Sequence, residues 1–303
     1  MSTDTLRRVA LWPFYSCFRA TRSPRLRSAL WRAIGAHTWF LEPSRADALS
    51  FWGATLSVNP RDICGRYLRY FGVWEPNLTH WIESHLQPGD TFVDVGANVG
   101  YFSLLASHIV GPGGRVVSLE PVAATFATLQ HNIMNNAANN VRAVNAAAWD
   151  ECTTLPMFTS REIVGTSSAV KQWADRWAME ERCDANADKL DNLLEPDELA
   201  SASVVKIDVE GAEWRALQGM TGLLKNSRRD LKVVIEVAPQ MLAAAGATLD
   251  DLLSFFSGFG FRPSIIENDY RAATYADGVV CAPTPFSTFP EGHEQADMIF
   301  SRS

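Results

Sequence analysis

Several common protein classes are missing their signatures from this sequence. Its five cysteines, Cys17, Cys64, Cys152, Cys183 and Cys281, are widely scattered, with no C-x-x-C pair and no histidine at ligand spacing. That pattern speaks against a disulfide framework and a zinc site, and it fits a reducing compartment. Positive charge is in short supply. With 27 Lys and Arg against 34 Asp and Glu the formal net charge is -7. A general basic face that could displace counterions is therefore lacking, and no nucleic-acid partner is expected. Long apolar runs are missing too. The stretch from Val9 to Ala20 is too short for a bilayer and is broken by Pro13 and Arg19, which also weakens a secretory signal. Neither internal repeats nor low-complexity tracts occur. A cytoplasmic location is the resulting expectation, with peripheral membrane contact as its one variant.

What the sequence does contain is a large apolar inventory. Its 303 residues are 47% hydrophobic and include 10 Trp and 16 Phe, enough for one large α/β domain with a modest extension. Charge is unevenly spread. Arg7, Arg8, Arg19, Arg22, Arg25, Arg27, Arg32 and Arg45 face only Asp4 and Glu42 up to Ala46. That acid-poor start has a superficial transit-peptide composition, but its aromatic residues read better as a folded cap. Residues 1–85 are thus expected to form a helical, arginine-rich N-terminal cap. Residues 86–303 form the main domain, with an irregular insertion at 151–202.

Within the main domain strand and helix patterns alternate. Thr91 to Val95 is a mostly apolar run bounded by Pro88-Gly89 and Gly96, as a buried parallel strand requires. A helix follows from about Val99 to Val110, stopped by Gly111-Pro112-Gly113-Gly114. Arg115 to Glu120 is the second strand, and Pro121 sits where the next helix begins. Further strands are expected at Val141 to Ala146, Ser203 to Asp208, Leu231 to Val237, Phe261 to Ile266 and Asp297 to Ser301. Helices are expected at Gly211 to Leu224 and Leu249 to Phe256. Such alternation implies a doubly wound, mostly parallel α/β sheet covered on both faces. The last strand has no helix before it, so it is expected to insert antiparallel.

In an open α/β sheet ligands bind beyond the carboxyl ends of the strands, near the switch in strand order. The first strand ends in Asp94-Val95-Gly96-Ala97-Asn98-Val99-Gly100. This is a G-x-x-x-G turn, not the G-x-G-x-x-G expected around a pyrophosphate. Asp94 would repel a diphosphate, but it suits a cofactor bearing an ammonium and a sulfonium. Glu120, ending the second strand, is placed to accept hydrogen bonds from two ribose hydroxyls. Asp150, just after the third strand, is placed to accept from an adenine amino group, with Trp149 or Ala148 against the ring. These features point to S-adenosylmethionine, and they disfavour NAD.

Four segments resemble one known family. They are Trp74-Glu75-Pro76, Pro88-Gly89-Asp90, Asp94 to Gly100 with Tyr101-Phe102, and Val205-Lys206-Ile207-Asp208-Val209-Glu210-Gly211-Ala212-Glu213. Together they resemble the FkbM-type methyltransferases of the class I S-adenosylmethionine-dependent superfamily, over roughly residues 70–240. The I-D-V-E-G-A-E run is far more specific than the glycine loop. Gly165-Thr166-Ser167-Ser168 and Leu190-Asp191-Asn192-Leu193-Leu194 are similar to that family less distinctively, and the resemblance does not extend into the first 70 residues. The resemblance implies a Rossmann-like, seven-stranded sheet and methyl transfer from S-adenosylmethionine. Its acceptor would be a small molecule or glycan, methylated on a hydroxyl of a sugar or polyketide-like metabolite. A nitrogen acceptor and a non-catalytic cofactor-binding protein stay open.

Cofactor contacts are accordingly expected from Glu75, Asp94, Gly96, Ala97, Asn98, Gly100, Glu120, Pro121, Trp149 and Asp150. At the reacting end stand Asp208 and Glu210, with Asp208 acting as base, acceptor-orienting group or metal ligand. Glu210 could instead turn the loop, and Glu213 could cap the next helix. Asp208, Glu210 and Glu236 carry oxygens of the kind Mg2+ prefers. No D-x-D or His-rich cluster enforces a metal, however, and none is expected. Lys206 would pair with Glu236, since a buried charge needs a partner. Ser167 and Ser168 are expected near the acceptor. The N-terminal arginines, interleaved with Trp12, Phe14, Tyr15 and Phe18, form a packed cap or meet an anionic membrane.

Overall fold

In the computed structural model, residues 3–159, 167–176, 179–267, 269–278, 280–290 and 294–302 are described. Gly165 and Thr166 lie outside them. The chain opens with helices α1 (Thr3–Ala20) and α2 (Pro24–Ala33). A hairpin of β1 (Ala46–Leu49) and β2 (Thr55–Val58) follows, then α3 (Ile63–Phe71) and α4 (Pro76–His85). The hairpin adds two strands to a stretch expected to be helical. Ala46 and Ala48 are buried while Asp47 and Leu49 are exposed, a period-two pattern of low amplitude because alanine carries little hydrophobic contrast. Buried Asn132 holds the hairpin through both its amide groups. It accepts from the Ser57 N–H at 2.7 Å and donates to the carbonyls of Ser57 and Val99 at 3.1 and 2.8 Å.

The main sheet begins with β3 (Thr91–Val95), α5 (Tyr101–Val110), β4 (Arg115–Leu119), α6 (Ala123–Asn135) and β5 (Val141–Val144). Every residue of β3 is buried, which is why it reads as a continuous apolar run and not as an alternation. A smaller sheet follows, made of β6 (Ala147–Ala148), β7 (Thr153–Thr159), β8 (Ser167–Ser168) and, after α7 (Lys171–Arg176), β9 (Glu180–Asp188). Its order is β6-β9-β7-β8. The segment expected to be irregular thus contains strands β7, β8 and β9 and the short helix α7. Ala185 and Ala187 point inward between exposed Asp184 and Asn186, again an alternation built on small residues.

The chain continues through α8 (Leu190–Leu193), α9 (Pro196–Ser201), β10 (Ala202–Ile207), α10 (Glu213–Gln218), α11 (Thr221–Asn226) and β11 (Lys232–Val237). Then come α12 (Pro239–Ala244), α13 (Leu249–Gly258), β12 (Phe261–Ile266), α14 (Ala272–Asp277), β13 (Thr284–Pro285) and β14 (Ala296–Arg302). The single helix expected from Gly211 to Leu224 is two short ones. Gly219 lies at the break, where a Cβ would come 1.9 Å from the Trp149 carbonyl oxygen. Packing against that backbone interrupts the apolar stripe that predicts one helix.

Strand order in the main sheet is β13-β12-β14-β11-β10-β3-β4-β5. Strands β11, β10, β3, β4 and β5 pair in parallel, and β14 inserts antiparallel between β11 and β12. This is the Rossmann-like sheet of seven strands with the last one reversed, plus the two-residue β13 on its edge. The reversal has a local cause. β12 ends at the carboxyl rim, and the chain stays on that rim through α14 before entering β14 from the same side. Residues Tyr270 and Gln295 are left there as a result. The order of connection switches between β3 and β10, whose ends meet as Asp94 beside Lys206 and Val95 beside Ile207.

A separate aromatic cluster of Phe18, Trp31, Tyr67, Tyr70, Phe71 and Tyr275 joins α1, α2, α3 and α14. Edge-on ring pairs at 5.2–5.4 Å, such as Phe18 with Tyr70 and Phe71, fix it. Among the described residues no helix is long and apolar enough to cross a membrane.

Candidate active site

The loop after β3 is held from both sides. The N–H groups of Gly96 and Ala97 both donate to the Leu119 carbonyl, at 3.0 and 2.8 Å. That of Asn98 donates to the Glu120 carboxylate at 3.0 Å. Gly96, Asn98 and Gly100 adopt positive φ of 83°, 49° and 91°, a region in which L side chains are strained. At Gly96 there is a second constraint. A Cβ would lie 1.8 Å from the carbonyl oxygen of Asp208, so the glycine lets the ends of β3 and β10 meet.

Asp94 sits beneath this loop, 1% exposed. Ser118 Oγ donates to Ser103 Oγ at 2.8 Å, and Ser103 Oγ donates to Asp94 Oδ2 at 2.6 Å. Its other oxygen, Oδ1, is buried without a hydrogen-bond partner, an arrangement that needs an explanation in a native site.

Glu120 accepts from the N–H groups of Asn98 and Val122, each at 3.0 Å. It lines a narrow cavity of about 90 Å³ with Pro121, Ala148, Trp149, Asp208 and Glu210. Each carboxylate oxygen carries one backbone N–H and keeps acceptor capacity for a vicinal diol. The Arg215 guanidinium lies 5.7 Å from the centre of the Trp149 ring and pairs with Asp150 Oδ2 at 2.6 Å. Asp150 Oδ1 is buried without a partner. The glycine loop, Glu120 and the Trp149 wall together fit the amino-acid end, ribose and base of S-adenosylmethionine.

A larger cavity of about 330 Å³ adjoins the first, since Gly96, Asn98, Asp208 and Glu210 line both. Its walls include Ala97, Glu75, Phe102, Lys206, Glu236, Tyr270 and Gln295. Glu75 occupies the left-handed N-cap position of α4, with Pro76 at the first helical position, and accepts from the Tyr270 hydroxyl at 2.9 Å. Gly100 and Asp94 line neither cavity; they support the loop from behind.

The family model for the methyltransferase FkbM domain matches residues 94–263, more than half of the chain. The chain belongs to the FkbM methyltransferase family. The 31-O-demethyl-FK506 methyltransferase FkbM of Streptomyces tacrolimicus is 27% identical over 209 residues, 61% of this chain and 76% of that protein. Methyltransferase sdnD of Sordaria araneosa is 28% identical over 160 residues, 44% of this chain and 61% of that one. This chain therefore spans less than two thirds of the sdnD protein's length. The solved methyltransferase FkbM from Methylobacillus flagellatus KT is 12% identical with a TM-score of 0.46, over 97% of this chain and 59% of that one. S-adenosylmethionine is the methyl donor that this family's fold implies.

In this FkbM-family domain the specific sequence run falls at the junction of the two cavities. Lys206 Nζ donates to Asp208 Oδ2 at 2.9 Å and lies 4.9 Å from the centre of the Phe102 ring. The expected Lys206–Glu236 pair is replaced by this one. Lys206 lies beside Val234 in the parallel register, two residues short of Glu236, whose carboxylate accepts from Gln295 Nε2 at 2.8 Å. Burial alone would lower the Lys206 pKa, but the carboxylates of Asp208, Asp94 and Glu75 outweigh it and raise it. Burial, reinforced by neighbouring carboxylates, pushes Glu75 and Glu236 well above the usual range. It raises Asp94, and it takes Glu210 up to about 8.

Glu210 has φ +50°, and its carbonyl accepts from Ser168 Oγ at 2.7 Å. Fully buried Ser168 thus braces the loop, while Ser167 lines the narrow cavity. Glu213 Oε1 accepts from the N–H groups of Gly211 and Val209, at 3.0 and 3.3 Å, which ties the loop to the start of α10.

Sequence reasoning missed Ser103, Ser118, Tyr270 and Gln295. Ser118 left a trace, as a polar residue inside an otherwise apolar buried strand. Tyr270 and Gln295 left none, because they reach the rim only through the reversed final strand.

Proposed function

We propose that this protein methylates a hydroxyl oxygen of a small molecule or glycan, a sugar or polyketide-like metabolite, using S-adenosylmethionine. The observation that carries it is Asp208, fixed by Lys206 at 2.9 Å where the two cavities meet. The bound cofactor supplies an electrophilic methyl on sulfur and leaves as a neutral thioether. The protein's own task is to align the acceptor oxygen and receive its proton. Asp208 performs that task, its carboxylate oriented by the Lys206 ammonium and its side chain 25% exposed toward the cavity. As the O–C bond forms, the hydroxyl proton passes to the carboxylate.

Glu210 stands beside it as a second contact to the acceptor. The name of the Streptomyces tacrolimicus relative, a 31-O-demethyl-FK506 methyltransferase, supports an oxygen acceptor. Nitrogen methylation is the second reading, favoured by the excess of carboxylates around the larger cavity, which would also suit an amine.

Tritiated S-adenosylmethionine incubated with fractionated small-molecule extracts tests both. Hydroxyl transfer leaves label in neutral methyl ethers. Label found only in amines retained by cation exchange would replace the oxygen acceptor with nitrogen. Asp208→Ala should retain S-adenosylhomocysteine binding and lose transfer; retained turnover would remove Asp208 from the reacting end.

A further inference from the structure

Helix α1 has two apolar faces, and only one of them is packed. Successive helical residues are about 100° apart around the axis, so Leu11, Phe14, Tyr15 and Phe18 form one stripe. Leu11 and Phe18 are buried, and the rings of Phe14, Tyr15 and Phe18 lie 5.4–5.6 Å from that of Tyr70. The opposite stripe is Leu6, Val9, Ala10, Pro13, Cys17 and Ala20, all exposed, with Trp12 on its border. Leu6, Val9 and Trp12 are 55%, 62% and 65% exposed. A helix face turned to water is normally polar; this one carries no charge along its length.

Charge surrounds the stripe instead of interrupting it. Arg22 and Arg25, at the short connection to α2, and Arg32 near the end of α2 are exposed. Between Asp4 and Glu42 there is no acidic residue, and Glu42 is turned inward onto the Tyr70 hydroxyl. Arg19 donates to the carbonyl of Leu49, which brings the half-exposed Leu49 to the end of the same helix. A second copy of this face would place the exposed Arg22, Arg25 and Arg32 against their counterparts, an excess of like charge. An anionic headgroup layer neutralises them while acyl chains receive Leu6, Val9 and Trp12, the arrangement of a helix lying in a membrane interface.

We propose that α1 and the start of α2 form a docking face for an anionic lipid bilayer, with α1 lying in the interface plane. The inference does not depend on the methyl-transfer reading. Flotation of the full chain with vesicles of phosphatidylcholine alone, or enriched in phosphatidylglycerol, tests it. The protein should float with the anionic vesicles only. Arg22→Gln and Arg25→Gln should each weaken binding about fivefold. Val9→Asp and Trp12→Asp should abolish it, with unchanged melting temperatures because both side chains are exposed.

Equal or negligible binding to the two vesicle types would overturn the proposal. So would a dimer in sedimentation that Trp12→Asp dissolves in a protein that does not float, which assigns the face to a second copy.

Discussion

Among the described residues Lys206 is the sole cation lining the larger cavity, so removing its charge should unbalance the whole carboxylate set. Lys206→Met keeps the packing against Phe102 and deletes only the ammonium. Breaking a buried ion pair by removing one partner costs about 3–5 kcal/mol. The Lys206 side chain is 4% exposed but that of Asp208 is 25% exposed, and water can solvate the abandoned carboxylate in part. The lower end, about 3 kcal/mol, is therefore expected. At roughly 2–3 °C per kcal/mol for a chain of this size, the melting temperature should fall about 6–9 °C.

The distinguishing assay is a double-mutant cycle with Asp208→Asn. Once Asp208 is neutral, losing the ammonium removes less, so the double variant should exceed the sum of the singles in stability by at least about 1 kcal/mol. Effects that add within about 0.5 kcal/mol would refute the idea that Lys206 acts on Asp208.

Two further expectations follow from the loop and its carboxylates. Gly96→Ala should sharply weaken S-adenosylhomocysteine binding and lower the melting temperature, because its Cβ would strike the Asp208 carbonyl. Gly89→Ala, at a similar φ of 92° but with nothing within 4 Å of its Cβ, should cost only the backbone strain of about 1–2 kcal/mol and spare binding. In the ligand-free protein, burial raises Glu120 to about 7, Glu210 to about 8 and Glu213 to about 7. The folded state therefore binds more protons than the unfolded one from about pH 4.5 upward. The stability these groups add is present at low pH and is lost as pH rises toward about 8. Melting scans should show a decline from about pH 5.5 to 8.5, whereas a steady rise would contradict the burial of these carboxylates.

Strong periodic signals made much of this domain legible from sequence. β3 and β10 are mostly apolar, fully buried runs with a carboxylate near or just past the end, and such runs mark central parallel strands. The reversed direction of the last strand was expected for want of a helix before it; a six-residue helix, α14, does precede it, but stays on the carboxyl rim and so does not carry the chain back across the sheet. Failures came where hydrophobic contrast is small or where distant backbone decides. β1 and β9 put alanine at their buried positions, a pattern too faint to distinguish from a loop. Gly219 breaks a helix because Trp149 passes close by, a contact invisible along the chain. The Lys206 pairing went to Asp208 instead of Glu236 for a similar reason: strand register decided it, and composition carries no register. At the candidate site, the Asp94-to-Gly100 loop stood out through its glycines. Tyr270 and Gln295, brought in by topology, did not.

Titration calorimetry of the full chain with S-adenosylhomocysteine, and separately with NAD, bears most directly on the cofactor site. The homocysteine compound should bind at one site per chain. Glu120→Ala should weaken it at least about tenfold, through the loss of charge-assisted hydrogen bonds to the ribose, and NAD should give no heat. Binding of NAD without any response to S-adenosylhomocysteine, or an affinity indifferent to Glu120→Ala, would contradict the placement of the cofactor between the Asp94–Gly100 loop and Glu120.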